Sequence, residues 1–197
     1  LFPLVHKHCE RTVFEGGSLL FRWPGKSREQ PIILMAHQDV VPATASEWSV
    51  DPFKGDIVED KIIGRGSFDT KATLYAFLQA AEELLADGFI PEIDIYFSSS
   101  SDEEILGGGA EIAVSYLEKQ GIKPLMVLDE GGAIVSGALP SLKRHLALIG
   151  VIEKGFLNLR FTAKSTGGHS STPPKNSPIP RLARFIARVE KHFPLKT

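Results

Sequence analysis

Three short apolar runs separated by two amphipathic stretches constrain this chain more than any other feature. PIILMAH (31–37) is apolar almost throughout and opens on Pro31, which predicts a strand buried on both faces. EIDIYFS (92–98) alternates and is rich in β-formers, and LMVLDE (125–130) is another buried strand. Between them, KATLYAFLQAAEELLADG (71–88) sets Leu74, Phe77, Leu78, Ala81, Leu84 and Leu85 at helical spacing, with Gly88 as the stop. AEIAVSYLEKQG (110–121) is a second helix closed by glycine. Strand, helix, strand, helix, strand predicts an α/β fold: a parallel or mixed sheet flanked by helices, with right-handed crossovers.

The pattern changes near Gly150. GFLNLRFTAKS (155–165) alternates apolar residues, Phe156 among them, with polar ones, as a strand with one wet face does. GGHSSTPPKNSP (167–178) is loop chemistry, and IPRLARFIARVEKHF (179–193) is an amphipathic helix. The expected division is a domain over 1–149 and the beginning of a second, α+β domain over 150–197, within the 197 residues.

Ligands of open α/β sheets bind beyond the carboxyl ends of the strands. His37 closes the first strand, Glu103 and Glu104 follow the second, Asp129 ends the third, and Asp69 immediately precedes the first helix. One imidazole and four carboxylates are thereby expected at one sheet edge. Packed carboxylates do not all stay ionised without a compensating cation. A nitrogen and oxygen donor set of this kind suits zinc, with manganese or cobalt as substitutes. Asp39, two residues past His37 in an extended chain, is placed to orient the imidazole from behind. Adjacent Glu103 and Glu104 can divide the work, one holding metal and the other serving as a general base.

Each group alone has an ordinary explanation. Asp69 could cap the helix after it, and Asp102, Glu103 and Glu104 could be a solvated helix start. Five such groups at one edge make the site the better reading. His6, His8, His145 and His192 lack such surroundings and read as surface or structural residues. Trp48, Phe53 and Phe77 read as core or pocket wall.

HQDVVPA with Trp48 and DPFKGDI, then IIGRGSFDTK, SDEEILGGGA, LDEGG and EKGFLNLRF…GGHSSTPP, resemble the dinuclear zinc peptidases grouped with carboxypeptidase S, aminoacylase and acetylornithine deacetylase. Carboxypeptidase S is the most similar of these. The resemblance implies that His37 binds one zinc with Asp39 orienting it, that Asp69 bridges two zinc ions, and that the Asp69–Thr70 peptide is cis. It implies Glu103 as general acid/base, Glu104 as a ligand of the second zinc and Asp129 as a further ligand of the first. His169 matches a lid histidine that polarises the scissile carbonyl, and Asn176 a lid asparagine near the substrate carboxylate. A further zinc histidine of the family has no match, so an N-terminal fragment of a longer enzyme is expected.

The implied activity is hydrolysis of the amide bond of a small peptide or N-acyl amino acid. A homodimer through the lid domain is a possible assembly. A carboxylate-pair glycoside hydrolase and a non-catalytic binding module are the other readings. The net charge of −2 implies no bulk attraction to nucleic acid or to an anionic membrane. With one cysteine, Cys9, no internal disulfide framework is possible, and a cytoplasmic location is expected.

Overall fold

The structure, a computed structural model, describes residues 1–137, 144–152, 155 and 157–192. The first unit, Leu1–Ile149, is built on a five-stranded sheet. It opens with helix α1 (Pro3–His8) and strands β1 (Glu10–Val13), β2 (Leu19–Trp23) and β3 (Ser27–Met35). A small hairpin of β4 (Asp56–Val58) and β5 (Lys61–Ile63) precedes α2 (Ala72–Ala86). Then come β6 (Ile93–Ser99), α3 (Gly109–Lys119) and β7 (Met126–Leu128), followed by a hairpin of β8 (Ala133–Val135) and β9 (Leu146–Leu148). The sheet order is β1-β2-β6-β3-β7.

The sheet is mixed. β6, β3 and β7 run parallel, as the alternating pattern predicts, while β1 and β2 form an antiparallel wing on β6. Pro31 sits in central β3, where a missing N–H would break a ladder. The register against β6 shifts between Ser27 and Ile32, the kind of irregularity that accommodates proline inside a sheet.

Alternation along the strands sends side chains to two cores. Phe21, Trp23 and Phe97 pack with Val5, Cys9 and Ala81, and Phe77, Leu78 and Leu85 of α2 close over them. Leu20, Ile33 and Tyr96, on the other face, meet Leu117 of α3. Phe77, partly buried, packs against the core, whereas Phe53 is 61% exposed and is not core. Arg65 covers the Trp48 ring at 5.3 Å. Glu82 of α2 accepts hydrogen bonds from the Leu4 and Val5 amides at 2.9 and 2.8 Å, which fixes α1 to the same face.

Asp94, 1% exposed, takes Arg22 Nε at 2.6 Å and the Gly25 amide at 2.8 Å. Asp94→Ala removes this acceptor from two partly buried donors. Urea unfolding is expected to show a loss of about 3–5 kcal/mol. A change within about 0.5 kcal/mol would mean that the pair contributes nothing to stability.

The second unit, Gly150–Thr197, contains α4 (Pro178–Lys191), in which Phe185 stacks on Phe161 at 4.3 Å. The strand expected over 155–165 is not formed across 157–165, and Phe156 lies outside the described residues. A strand is defined by its ladder, and among the described residues no segment pairs with this one. Residue 193, the expected end of the helix, also lies outside them. No described helix is long and apolar enough to cross a membrane.

Candidate metal centre

β3 ends at Met35, and His37 follows it into the space beyond the carboxyl edge. Its ring is 3% exposed. Nδ1 donates to the Asp39 carbonyl at 3.0 Å and lies 3.3 Å from Asp39 Oδ1. Nε2 meets Asp69 Oδ1 at 3.1 Å, Glu130 Oε1 at 3.5 Å and Glu103 Oε2 at 3.9 Å. Burial works against a charged ring, but the contact with Asp69 and the fields of Glu130 and Asp39 outweigh it and raise the His37 pKa.

Asp39 joins two strand ends. Besides facing His37, its carboxylate accepts the Glu103 amide at 3.1 Å and the Glu104 amide at 3.0 Å. The turn of Glu103–Ile105 is thereby held against the His37 loop. Lys71 Nζ reaches the Gln38 carbonyl at 2.5 Å and ties down the segment carrying Asp69. The Asp69–Thr70 peptide is cis, as the resemblance implied, and Asp69 is not a helix cap.

The three consecutive acids have three positions. Asp102 turns inward and accepts the Gly109 amide at 3.0 Å, the first residue of α3. A Cβ on Gly107 would stand 2.0 Å from Asp102 Oδ2 and one on Gly109 2.4 Å from Oδ1, which accounts for these two glycines. Glu103 and Glu104 face the cluster. Partial burial pushes the Glu103 pKa up; His37 opposes this, while Glu130, Glu104 and Asp39 add to it.

Two sets of potential ligand atoms lie within 4.8 Å of one another: His37, Asp69 and Glu104, and His37, Glu103 and Glu130. His37, Asp39, Asp69, Glu103 and Glu104 are therefore brought together as the sequence predicts. Asp129 is not. Its Oδ1 accepts the amide of the next residue, Glu130, at 2.9 Å, and Glu130 supplies the carboxylate facing His37. His169 and Asn176 belong to the second unit. His169 Nδ1 accepts the Ser171 amide at 3.2 Å, which leaves the ring proton on Nε2. Asn176, at φ 63°, accepts Arg184 Nη2 at 2.9 Å through Oδ1.

A buried imidazole facing several carboxylates is a donor set that fits a divalent cation. The sequence pattern of peptidase family M20/M25/M40 matches residues 33–192. The chain belongs to this family. Over 194 residues it is 41% identical to the human N-fatty-acyl-amino acid synthase/hydrolase PM20D1, covering 97% of this chain and 39% of that protein. It is 36% identical over 200 residues to carboxypeptidase S of Saccharomyces cerevisiae, covering 96% of this chain and 34% of the yeast protein. The chain thus spans less than half the length of either. The M20 family metallo-carboxypeptidase Sso-CP2 of Sulfolobus solfataricus superimposes with a TM-score of 0.56 at 26% identity, covering 66% of this chain and 30% of that one. Membership in the M20/M25/M40 family agrees with the motif reading and with the α/β architecture, and it implies use of a divalent metal.

Proposed function

We propose that the protein containing this chain hydrolyses the amide bond of a small peptide or N-acyl amino acid at a two-zinc centre. The observation that carries this reading is His37, buried and faced at Nε2 by Asp69, Glu130 and Glu103 within 3.9 Å. The human relative's name, an N-fatty-acyl-amino acid synthase/hydrolase, and that of yeast carboxypeptidase S support both substrate classes. His37, Asp69, Glu104 and Glu130 would hold metal. A divalent ion bound there would supply Lewis-acid chemistry, polarising a carbonyl and lowering the pKa of a bound water.

Glu103 is the member of the cluster best left for proton transfer. Of the three carboxylates facing His37 Nε2 it is the farthest, and its raised pKa suits a group that takes and returns a proton. It removes a proton from the attacking water and delivers it to the amine nitrogen as the C–N bond breaks. Asp39 fixes the His37 ring and, through two amides, the Glu103–Glu104 turn. His169, with its proton on Nε2, is suited to donate to the carbonyl oxygen, and Asn176 to meet the substrate carboxylate.

Residues 1–149 serve as the zinc-binding domain and 150–197 as the beginning of a lid through which two copies pair. Cytoplasmic residence belongs to the same proposal. A glycoside hydrolase is disfavoured, because its paired carboxylates stand about 5 Å or more apart on opposite sides of a sugar. Metal analysis of the intact protein is expected to find two zinc ions per chain. Chelation is expected to abolish turnover in a screen of N-acyl amino acids and dipeptides, with zinc, cobalt or manganese restoring it. Full turnover after complete metal removal would refute the mechanism, and metal binding without any turnover would favour a binding module.

A further inference from the structure

A cavity of about 620 Å³ opens on the α3 face of the sheet. Leu20 and Arg22 of β2 and Tyr96 of β6 line it from the sheet, and the start of β3 and the end of α3 line its sides. None of the residues proposed to hold metal lines it. Gln30 lies at the cavity and His37 at the metal centre, seven residues on along an extended segment. At about 3.3 Å per residue, roughly 20 Å separates the two.

Two polar groups in its wall have capacity left over. Arg22, its side chain 12% exposed, places Nε on Asp94 and Nη1 on Glu10. Among the described residues its Nη2 has no acceptor. Tyr96 is 5% exposed, and among the described residues its hydroxyl has no partner. A buried phenol ordinarily finds one. Burial pushes the Tyr96 pKa up, with Arg22 opposing, so the hydroxyl stays a donor. The side walls carry charge. The register shift of β3 between Ser27 and Ile32, with Gln30 at φ 50°, re-aims the side chains there, and Arg28 and Glu29 line the cavity. Lys123 lines it from beyond α3.

We infer that this cavity is a binding site, separate from the metal centre, for a free amino acid with an apolar side chain. Arg22, Arg28 and Lys123 are balanced by Glu10, Glu29 and, behind Arg22, Asp94. A lone anion there would meet Glu10 and Glu29 uncompensated, and a lone cation would meet Arg28 and Lys123. A zwitterion uses both signs. Arg28, Lys123 and the Tyr96 hydroxyl are donors for its carboxylate. Glu29 and the carbonyl end of α3, at Gln120 and Gly121, suit its ammonium. Leu20, Ile122 and the Tyr116 ring offer apolar surface to its side chain.

The test is equilibrium dialysis of labelled L-phenylalanine against the intact, metal-loaded protein and its Arg28→Ala, Lys123→Ala and Tyr96→Phe variants. Tyr96→Phe keeps the ring in the core, and the other two positions are exposed, so Tm is expected to hold. Saturable binding is expected. It weakens about tenfold or more in Arg28→Ala and Lys123→Ala and about threefold or more in Tyr96→Phe, as loss of a charged and of a neutral hydrogen bond predicts, with metal content unchanged. 2-Phenylethylamine and 3-phenylpropanoate each lack one charge and are expected to compete at least about tenfold less well. Absence of saturable binding, as when another segment of the intact protein fills the cavity, overturns the inference. So does wild-type affinity in all three variants with loss of binding in Glu104→Gln, which assigns the amino acid to the metal centre. Either analogue competing as well as L-phenylalanine overturns the choice of a zwitterion.

Discussion

Glu103→Gln in the intact protein is expected to lower kcat by about 10²–10⁴-fold, the range for removal of a general acid–base, with metal content at its wild-type value. Glutamine keeps the size of the side chain and the turn that carries it. The Glu103 amide still donates to Asp39, so the link between the two strand ends survives. Glu104→Gln serves as the contrasting variant. It is expected to weaken a proposed metal contact, so that metal is lost and excess zinc restores part of the rate. Metal analysis beside steady-state kinetics separates the two. Rescue of Glu103→Gln by added zinc, with Glu104→Gln inactive at full occupancy, would reverse the assignment.

The second large effect distinguishes Glu130 from Asp129. Loss of a side chain that only supports a metal ligand costs about 10–100-fold in affinity. Glu130→Gln, which alters a proposed direct ligand, is therefore expected to weaken metal binding by at least about 100-fold. Asp129→Asn is expected to keep its metal, because that carboxylate is occupied with the backbone of its neighbour. Competition against a chelator of known affinity measures both. Metal loss in Asp129→Asn and retention in Glu130→Gln would return the ligand role to Asp129.

That pair also shows where sequence reasoning stops. The approach of His37, Asp69, Glu103 and Glu104 to one edge was legible because strand ends and a helix start determine it. Which of two adjacent acids faces inward depends on the phase of the chain after β7. β7 ends at Leu128, all three of its residues are exposed, and no buried face marks the phase. Gly131 and Gly132, at φ 100° and 75°, then turn the backbone away from strand geometry. The signal in LDEGG was the presence of two acids, which left the choice between them undecided.

The antiparallel wing escaped notice for another reason. LLFRW in β2 sends Leu20 to one core and Phe21 and Trp23 to the other, so it lacks the wet face that makes a wing strand conspicuous. At 157–165 the reverse holds: alternation is present, and among the described residues a pairing partner is not. Periodicity reports which faces a segment could bury. It does not supply the neighbour that completes a ladder.

The wing has a consequence for biogenesis. β2 is held in the sheet by β6, with Leu19 opposite Ser99, and α1 is held by Glu82 of α2. A ribosome adding about 5–20 residues per second delivers Val5, Leu20, Phe21 and Trp23 several seconds before the strand and helix that cover them. During that interval β1 and β2 form at most a lone hairpin, too small to be stable by itself. The apolar faces of β2 therefore stay uncovered on the nascent chain until β6 emerges, and synthesis of β6 is the step that lets this wing join the sheet.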